Sequence, residues 1–183
     1  MIKTRKELKE CLKYEKTIYK LPKCVCLLGV LGITDKAIIW RYQKRLRKWE
    51  YHFNAGHKLR ALSYKIKTNR LGRKYGFKMQ PNNFDVGLKI MHLGPILVNG
   101  EARVGKDCSI HINTALVATG GTSDSPHIGD GCKIGVGVTI VGGITLGNEV
   151  VIGAGAVVTK SFEENHITLG GVPAKIISHK ALI

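Results

Sequence analysis

Long apolar runs are missing from this chain of 183 residues. A membrane-spanning helix needs roughly 18 to 20 apolar residues, and the best stretch, Val25 to Ile33, is far shorter. A signal-peptide layout is missing too, because Lys3 to Lys23 is charged throughout instead of opening into an early apolar run. These absences lead to the expectation of a cytoplasmic protein, with peripheral contact at the inner face of a membrane as the one membrane role left. Cysteine pairs are also lacking. Cys11, Cys24, Cys26, Cys108 and Cys132 are odd in number and scattered, which fits neither a disulfide framework nor a C-x-x-C zinc pair, so reduced and mostly buried thiols are expected. Acid is scarce: 13 Asp and Glu stand against 29 Lys and Arg, for a net charge of +16. The imbalance is local, since residues 1 to 78 hold 22 basic and five acidic residues.

Three signatures of chemistry fall short. Gly100-Glu-Ala-Arg-Val-Gly105-Lys106-Asp107 nearly spells a phosphate-binding loop, but Asp stands where Ser or Thr would meet magnesium, and no helix follows. Gly153-Ala-Gly155 lacks the rest of a dinucleotide fingerprint, and no G-x-S-x-G elbow exists for a covalent route.

The chain has two halves with different periods. From Thr4 to Lys20 and from Thr34 to Lys74, apolar residues recur three and four apart, as in Leu8, Leu12, Ile18 and Ile38, Trp40, Leu46, Trp49, Phe53. That spacing predicts amphipathic helices. Leu21-Pro22 should end the first, Gly29 to Thr34 should turn the chain, and Asn54-Ala55-Gly56 should split the second. After Pro81 a period of six takes over. Val98, Val104, Ile110, Leu116, Ile128, Ile134, Ile140, Leu146, Ile152 and Val158 share one frame, with the step from 116 to 128 covering two units. Glycine follows at 105, 129, 135, 147 and 153, and a small or branched residue sits four after the aliphatic one, as at Ala102, Cys108, Thr114, Val138, Val150 and Ala156.

A six-residue unit is one short strand plus a corner, and three units return the chain to stack on itself. Each inward Ile or Val then contributes roughly 1.5 to 3 kcal/mol of burial. Single units cannot bury their apolar face, so the stack needs caps, and the basic helices are candidates for one end. The segment Ala118 to Pro126 breaks the repeat without shifting its phase, which marks a loop thrown out from one corner. The expected organisation is α+β: a basic helical region over 1–78, a parallel β-helix over 79–178 and a tail over 179–183.

The segment Val86-Gly-Leu-Lys-Ile-Met-His92-Leu-Gly-Pro-Ile-Leu-Val, the coils after it and the closing Gly170-Gly-Val-Pro-Ala-Lys175-Ile resemble the hexapeptide-repeat acyltransferases. Within that family they look like the serine acetyltransferase branch, which includes polysaccharide O-acetyltransferases. The resemblance implies a left-handed β-helix, a homotrimer, acetyl-CoA in the groove between neighbouring coils, and direct transfer of acetyl to a hydroxyl with a His as base. It implies no metal. Zinc enzymes that share the β-helix use closely spaced histidines, and His92, His111 and His127 form no such pair.

His92 matches the family's catalytic His. An alcohol needs a proton acceptor to attack a thioester, and imidazole, with a reference pKa of about 6.5, is suited to it. His92 also falls on the six-residue frame, so it either replaces a core residue or sits where the coil leaves register. The family's orienting Asp has no counterpart in Phe77-Lys-Met-Gln-Pro81; Asp85 is the nearest candidate, at a position that does not match. The substrate loop, Gly120-Gly-Thr-Ser-Asp124-Ser125-Pro126-His127, lacks the family's Arg and carries its His after the proline. Asp124, Ser125 and His127 are the candidate acceptor contacts, with His127 a second base in reserve. The resemblance points to Ala118, Thr119, Val136, Gly137, Ala154 and Gly155 for the pantetheine arm, and to Lys160 and Lys175 for the CoA phosphates. His111 lies one after a core position and is expected to face outward, at a subunit interface or in solvent.

The function expected is acetyl-CoA-dependent O-acetylation of a sugar hydroxyl in surface polysaccharide synthesis, because a lost guanidinium argues against a carboxylate-bearing acceptor. The alternative is serine O-acetylation for cysteine synthesis, which the shorter helical region and the loop disfavour and the terminal Ile183 favours. A third reading, from another class, is a non-catalytic basic trimer that binds nucleic acid or membrane. The basic run from Arg41 to Tyr51 suits an anionic membrane face better than nucleic acid.

Overall fold

The computed structural model describes residues 1–20, 31, 34–120 and 124–181. The Leu21-Pro22 stop, the turn from Gly29 up to Thr34, Cys24, Cys26, the loop residues 121–123 and Ile183 lie outside the described residues.

Three helices open the described chain: α1 (Arg5–Ile18), α2 (Asp35–Asn54) and α3 (Lys58–Tyr75). Thr4 caps α1 in a reciprocal arrangement, its hydroxyl accepting from the Glu7 N–H at 3.2 Å while the Glu7 carboxylate accepts from the Thr4 N–H at 3.0 Å. Thr34 caps α2 through the Ala37 N–H at 3.3 Å. The break expected at Asn54-Ala55-Gly56 is where α2 gives way to α3. Phe53, expected on the inward stripe of α2, is exposed instead.

From residue 77 the chain winds into a three-faced prism of parallel strands. One face has five strands in the order β1 (Phe77–Lys78), β3 (Ile96–Val98), β6 (Thr114–Val117), β9 (Thr139–Val141) and β12 (Val157–Val158); one has three in the order β10 (Thr145–Leu146), β7 (His127–Ile128) and β4 (Arg103–Val104); and one has six in the order β14 (Lys175–Ser178), β13 (Thr168–Gly170), β11 (Val151–Ile152), β8 (Lys133–Ile134), β5 (Ser109–Ile110) and β2 (Lys89–Ile90). Most strands are two or three residues long, as in β2 (Lys89–Ile90), β5 (Ser109–Ile110) and β8 (Lys133–Ile134). Register follows the six-residue frame: Ile90, Ile110, Ile134 and Ile152 stack on the six-stranded face, and Val98, Leu116, Ile140 and Val158 on the five-stranded face. These side chains are buried, as are the small residues at 102, 108, 114, 138, 150 and 156. The architecture is the expected one, a helical region followed by a left-handed parallel β-helix. The coil starts early, however, since β1 (Phe77–Lys78) already pairs with β3 (Ile96–Val98).

A stack of parallel coils leaves the first coil with unpaired backbone groups, and buried ones need partners. The helices supply them. Tyr19 accepts the Ile90 N–H at 2.7 Å and donates to Gln43 at 2.7 Å, and the Gln43 amide donates to the Leu88 carbonyl at 2.8 Å. Beside this ladder lies a buried ionic knot. Arg47 on α2 donates to Glu15 on α1 at 2.6 Å, to Glu50 at 2.8 Å, and to the carbonyls of Phe84 and Asp85 at 2.7 and 2.6 Å. Glu15 in turn accepts the Gly87 N–H at 3.2 Å. Burial pushes the nearby Cys11 thiol up to about 12 and keeps it protonated. Cys108 and Cys132 are likewise free and buried.

Removing one partner of a buried ion network strands the others without compensation, at about 3–5 kcal/mol. Arg47→Met should therefore lower the free energy of unfolding by that amount in urea titration. A loss below about 1 kcal/mol would show that the knot does not hold the helices to the first coil.

Candidate active site

The prism has three edges, and their different contents decide what each can do. The edge between the six- and five-stranded faces carries His92 in the first coil, His111 and Ile112 in the second, Val136 and Gly137 in the third, and Ala154 and Gly155 in the fourth. Backbone hydrogen bonds tie these corners together: Gly137 N–H to the Ile112 carbonyl at 3.0 Å, and Gly155 N–H to the Val136 carbonyl at 2.8 Å.

His92 reaches the surface because the first coil leaves register. Eight positions separate Ile90 from Val98, whereas six separate their partners Ile110 and Leu116. The surplus is taken up from Met91 to Pro95, where the chain bends outward, so Ile90 fills the core position and His92 is exposed. Of the two readings open from the sequence, this is the departure from register. Gly94 is the residue that permits it. Its φ is +156°, and an added Cβ would stand 2.8 Å from the Ile112 side chain in the next coil.

The His92 and His111 rings lie 5.6 Å apart between centroids and tilted by 44°. His111 is only half exposed, and its Nδ1 is buried with no hydrogen-bond partner. Burial first, then His92 and the Lys89 ammonium, hold the His111 imidazole below its ordinary value. His111 is thus a neighbour of His92, where the sequence suggested only an outward side chain. A signal was present, since the two are nearly one coil apart, but the frame does not say which corner residues turn back toward each other.

Asp85 is not brought to His92. It sits at the opposite end of β2, on the edge between the three- and six-stranded faces. There its carboxylate accepts the Val86 N–H at 2.9 Å and lies 3.5 Å from the amino group of Met1. The intervening strand separates the two, so the expectation of an orienting role for Asp85 is corrected. Among the described residues no carboxylate accepts a hydrogen bond from His92.

The loop residues occupy the third edge, between the five- and three-stranded faces. The twelve-residue step from Leu116 to Ile128 is a single corner with an insertion, because β6 (Thr114–Val117) and β7 (His127–Ile128) belong to adjacent faces. Thr119 and Asp124 pack over the corner glycines of the next coil, as an added Cβ on Gly142 or Gly143 would touch them. Ser125 is buried, with an unpartnered hydroxyl. The His127 Nδ1 lies 3.0 Å from the Ser125 carbonyl, so it carries the proton and donates it. His127 lines a cavity of about 420 Å³ on the three-stranded face with Asp85, Arg103 and Thr145. That face is not the one bearing His92.

The residues expected to hold the cofactor therefore fall into two rows. Val136, Gly137, Ala154 and Gly155 share the edge of His92, whereas Ala118, Thr119 and Lys160 lie along the loop edge. Lys175 starts β14 (Lys175–Ser178), which runs antiparallel to β13 and closes the stack. Space above the first row is open: a Cβ on Gly155 would meet nothing within 4 Å, and on Gly137 the nearest atom would be 3.9 Å away. Among the described residues no cluster of three or more His, Cys, Asp or Glu is arranged to hold a metal ion.

Residues 125–160 match the family model described as bacterial transferase hexapeptide (six repeats). The chain is 34% identical over 115 residues to serine acetyltransferase 3, mitochondrial, of Arabidopsis thaliana, covering 61% of this chain and 29% of that protein. Its fold matches the solved serine acetyltransferase in complex with coenzyme A from Brucella abortus strain S19, with a TM-score of 0.75 and 25% identity over 98% of this chain and 71% of that one. It also matches Neisseria gonorrhoeae serine acetyltransferase in complex with serine, with a TM-score of 0.68 and 28% identity over 93% and 69% of the two chains. The chain spans 29% to 43% of the length of the first serine acetyltransferases it matches by sequence. The resemblance to hexapeptide-repeat acyltransferases of the serine acetyltransferase-like branch is thus borne out in repeat and in fold.

Histidine titration by NMR checks the pairing of the two rings. His111 should titrate below the ordinary value of about 6.5 and move up in His92→Gln, where the neighbouring imidazole is gone. An unchanged midpoint would mean that the rings do not sense each other in solution.

Proposed function

We propose that this chain is an acetyl-CoA-dependent O-acetyltransferase in which His92 is the general base. One observation carries the reading: the register break puts the imidazole outside the coil at the head of an edge lined by Val136, Gly137, Ala154 and Gly155. A pantetheine arm laid along that edge would bring its thioester toward position 92, and the small corner residues leave backbone N–H and C=O groups within its reach.

The chemistry follows from the groups present. As the acceptor oxygen attacks the thioester carbonyl carbon, its proton passes to the free ring nitrogen of His92. The carbonyl oxygen becomes an oxyanion that backbone N–H groups of the edge are suited to stabilise. The C–S bond then breaks, and the departing thiolate takes the proton back from the imidazolium, giving the acetyl ester and free CoA. His111 assists by staying neutral. Held below its ordinary value by burial and by nearby cations, it adds no like charge when His92 becomes cationic.

The two rows of cofactor residues support a homotrimer. They lie on different edges of one prism, so one acetyl-CoA can touch both only if the loop edge of one copy sits against the His92 edge of another. Such a heterologous contact closes into a ring, and a three-sided coil suits three copies. Lys160 and Lys175 would then be placed to meet CoA phosphates from the two sides.

For the acceptor, the first relatives matched favour L-serine: they are serine acetyltransferases, and a serine acetyltransferase of the same fold was solved with serine. A second reading rests on a specific observation. Residues 118 to 127 contain no Lys or Arg, and Asp124 is exposed there, so the loop lacks the cation that a carboxylate would require and suits a neutral sugar hydroxyl of the kind found in surface polysaccharide.

Thiol release from acetyl-CoA, measured with L-serine and with a panel of sugars and nucleotide sugars, separates the two acceptors. Turnover on serine alone would remove the sugar reading, and turnover on a sugar alone would remove serine. With whichever acceptor works, His92→Ala should lower kcat by at least about 10² while CoA binding is retained. Near-normal turnover would place the base elsewhere.

A further inference from the structure

The acids of the helical half are largely engaged. Glu15 and Glu50 are buried on Arg47, and Glu7 caps α1. From Tyr51 to Phe84 the sequence contains no acidic residue and eight basic ones. α3 lies in this stretch. It buries Ala61, Thr68, Leu71 and Gly72 and turns its opposite face to solvent. On that face Leu59, Leu62 and Ile66 are 85%, 53% and 57% exposed, so each presents bare aliphatic surface.

At about 100° per residue these three side chains fall within an arc of roughly 60°. Lys58 and Lys65 flank it on one side, Arg60 and Lys67 on the other, and all four are exposed. Their long stems can lie beside the stripe while the charged heads reach outward and upward.

We infer that α3 docks this protein on an anionic lipid bilayer, lying in the interface plane with Leu59, Leu62 and Ile66 inserted among the acyl chains and its flanking Lys and Arg on the headgroups. Both halves of the pattern select that occupant. Nucleic acid would satisfy the cations but offers no aliphatic surface to cover the stripe. A second copy of the chain would cover the stripe but would bring another acid-free basic helix against the first. A bilayer carrying anionic headgroups satisfies both, as amphipathic interfacial helices do. No helix among the described residues is long and apolar enough to cross a membrane, so the contact is peripheral.

The test is cosedimentation of the full chain with vesicles of phosphatidylcholine alone or with about one third phosphatidylglycerol, comparing wild type with the triple variant Leu59→Ser, Leu62→Ser, Ile66→Ser. All three side chains are exposed, so the variant should fold, and circular dichroism and thiol release check that it does. Wild type should pellet with the phosphatidylglycerol vesicles and hardly with phosphatidylcholine, and the variant should bind at least about tenfold more weakly. Equal binding by variant and wild type would reduce the contact to charge adsorption and overturn the proposal, as would failure to pellet. It would equally be overturned by concentration-dependent self-association of the wild type, in sedimentation without vesicles, that the variant loses. Because vesicle binding is read without turnover, its failure leaves the acetyltransferase reading standing, and the reverse also holds.

Discussion

Parallel stacking fixes the position of every functional group in the coil. Each strand gives its N–H groups to the carbonyls of the next coil, so a residue's height is set by its coil and its edge by its place in the six-residue unit. Side chains cannot drift along such a lattice. The way to move one outward is to add or remove residues between two strands, and that is what happens at His92. Two surplus residues between Ile90 and Val98 lift the imidazole from a frame position into solvent. Gly94 makes the lift tolerable by avoiding the Ile112 side chain in the coil beneath.

This lattice is only as rigid as its first layer. A coil with no neighbour on one side would fray, and His92 belongs to that coil. Tyr19 and Gln43 meet the otherwise unpaired backbone of Leu88 and Ile90, while Arg47 binds the Phe84 and Asp85 carbonyls from within a cluster that is itself neutralised. The basic helices thus have two unlike faces. The inner one consumes acid to hold the first coil, and the outer one is left with cations and a short aliphatic stripe. One sequence feature, the shortage of acid over the first half, underlies both the cap and the surface charge.

Most of the fold was legible because a period of six has few structural meanings. The column of Val, Ile and Leu, the small residues four further on and the helix break at Asn54-Ala55-Gly56 all lie where the spacing put them. Legibility failed where geometry depends on two coils at once. His92 sits on the frame by number, yet it is off the frame in space, because counting cannot reveal a local surplus of two residues. Asp85 is near His92 in sequence, but in a prism six residues are one strand and lead to a different edge. The spacing within its own coil places His111 outward, and its contact with His92 arises only when one coil is laid on the next. Phe53 keeps the helical period by number, yet its side chain is exposed.

The same geometry bears on how a complete site can form. Within one chain, the edge bearing His92 and the edge bearing Asp124 and Ser125 are separated by the five-stranded face, so neither can approach the other without unwinding the coil. Moving the loop alone does not remove the separation, since Thr119 and Asp124 rest on the corner glycines of the next coil. A reaction that needs a base from one edge and acceptor contacts from the other therefore needs two chains side by side. Under the proposed trimer, changes in the loop and changes in the His92 segment would act on the same reacting atoms only through the contact between chains. A mixture of loop-altered and His92-altered subunits would contain interfaces in which both halves are intact, whereas either variant alone would contain none.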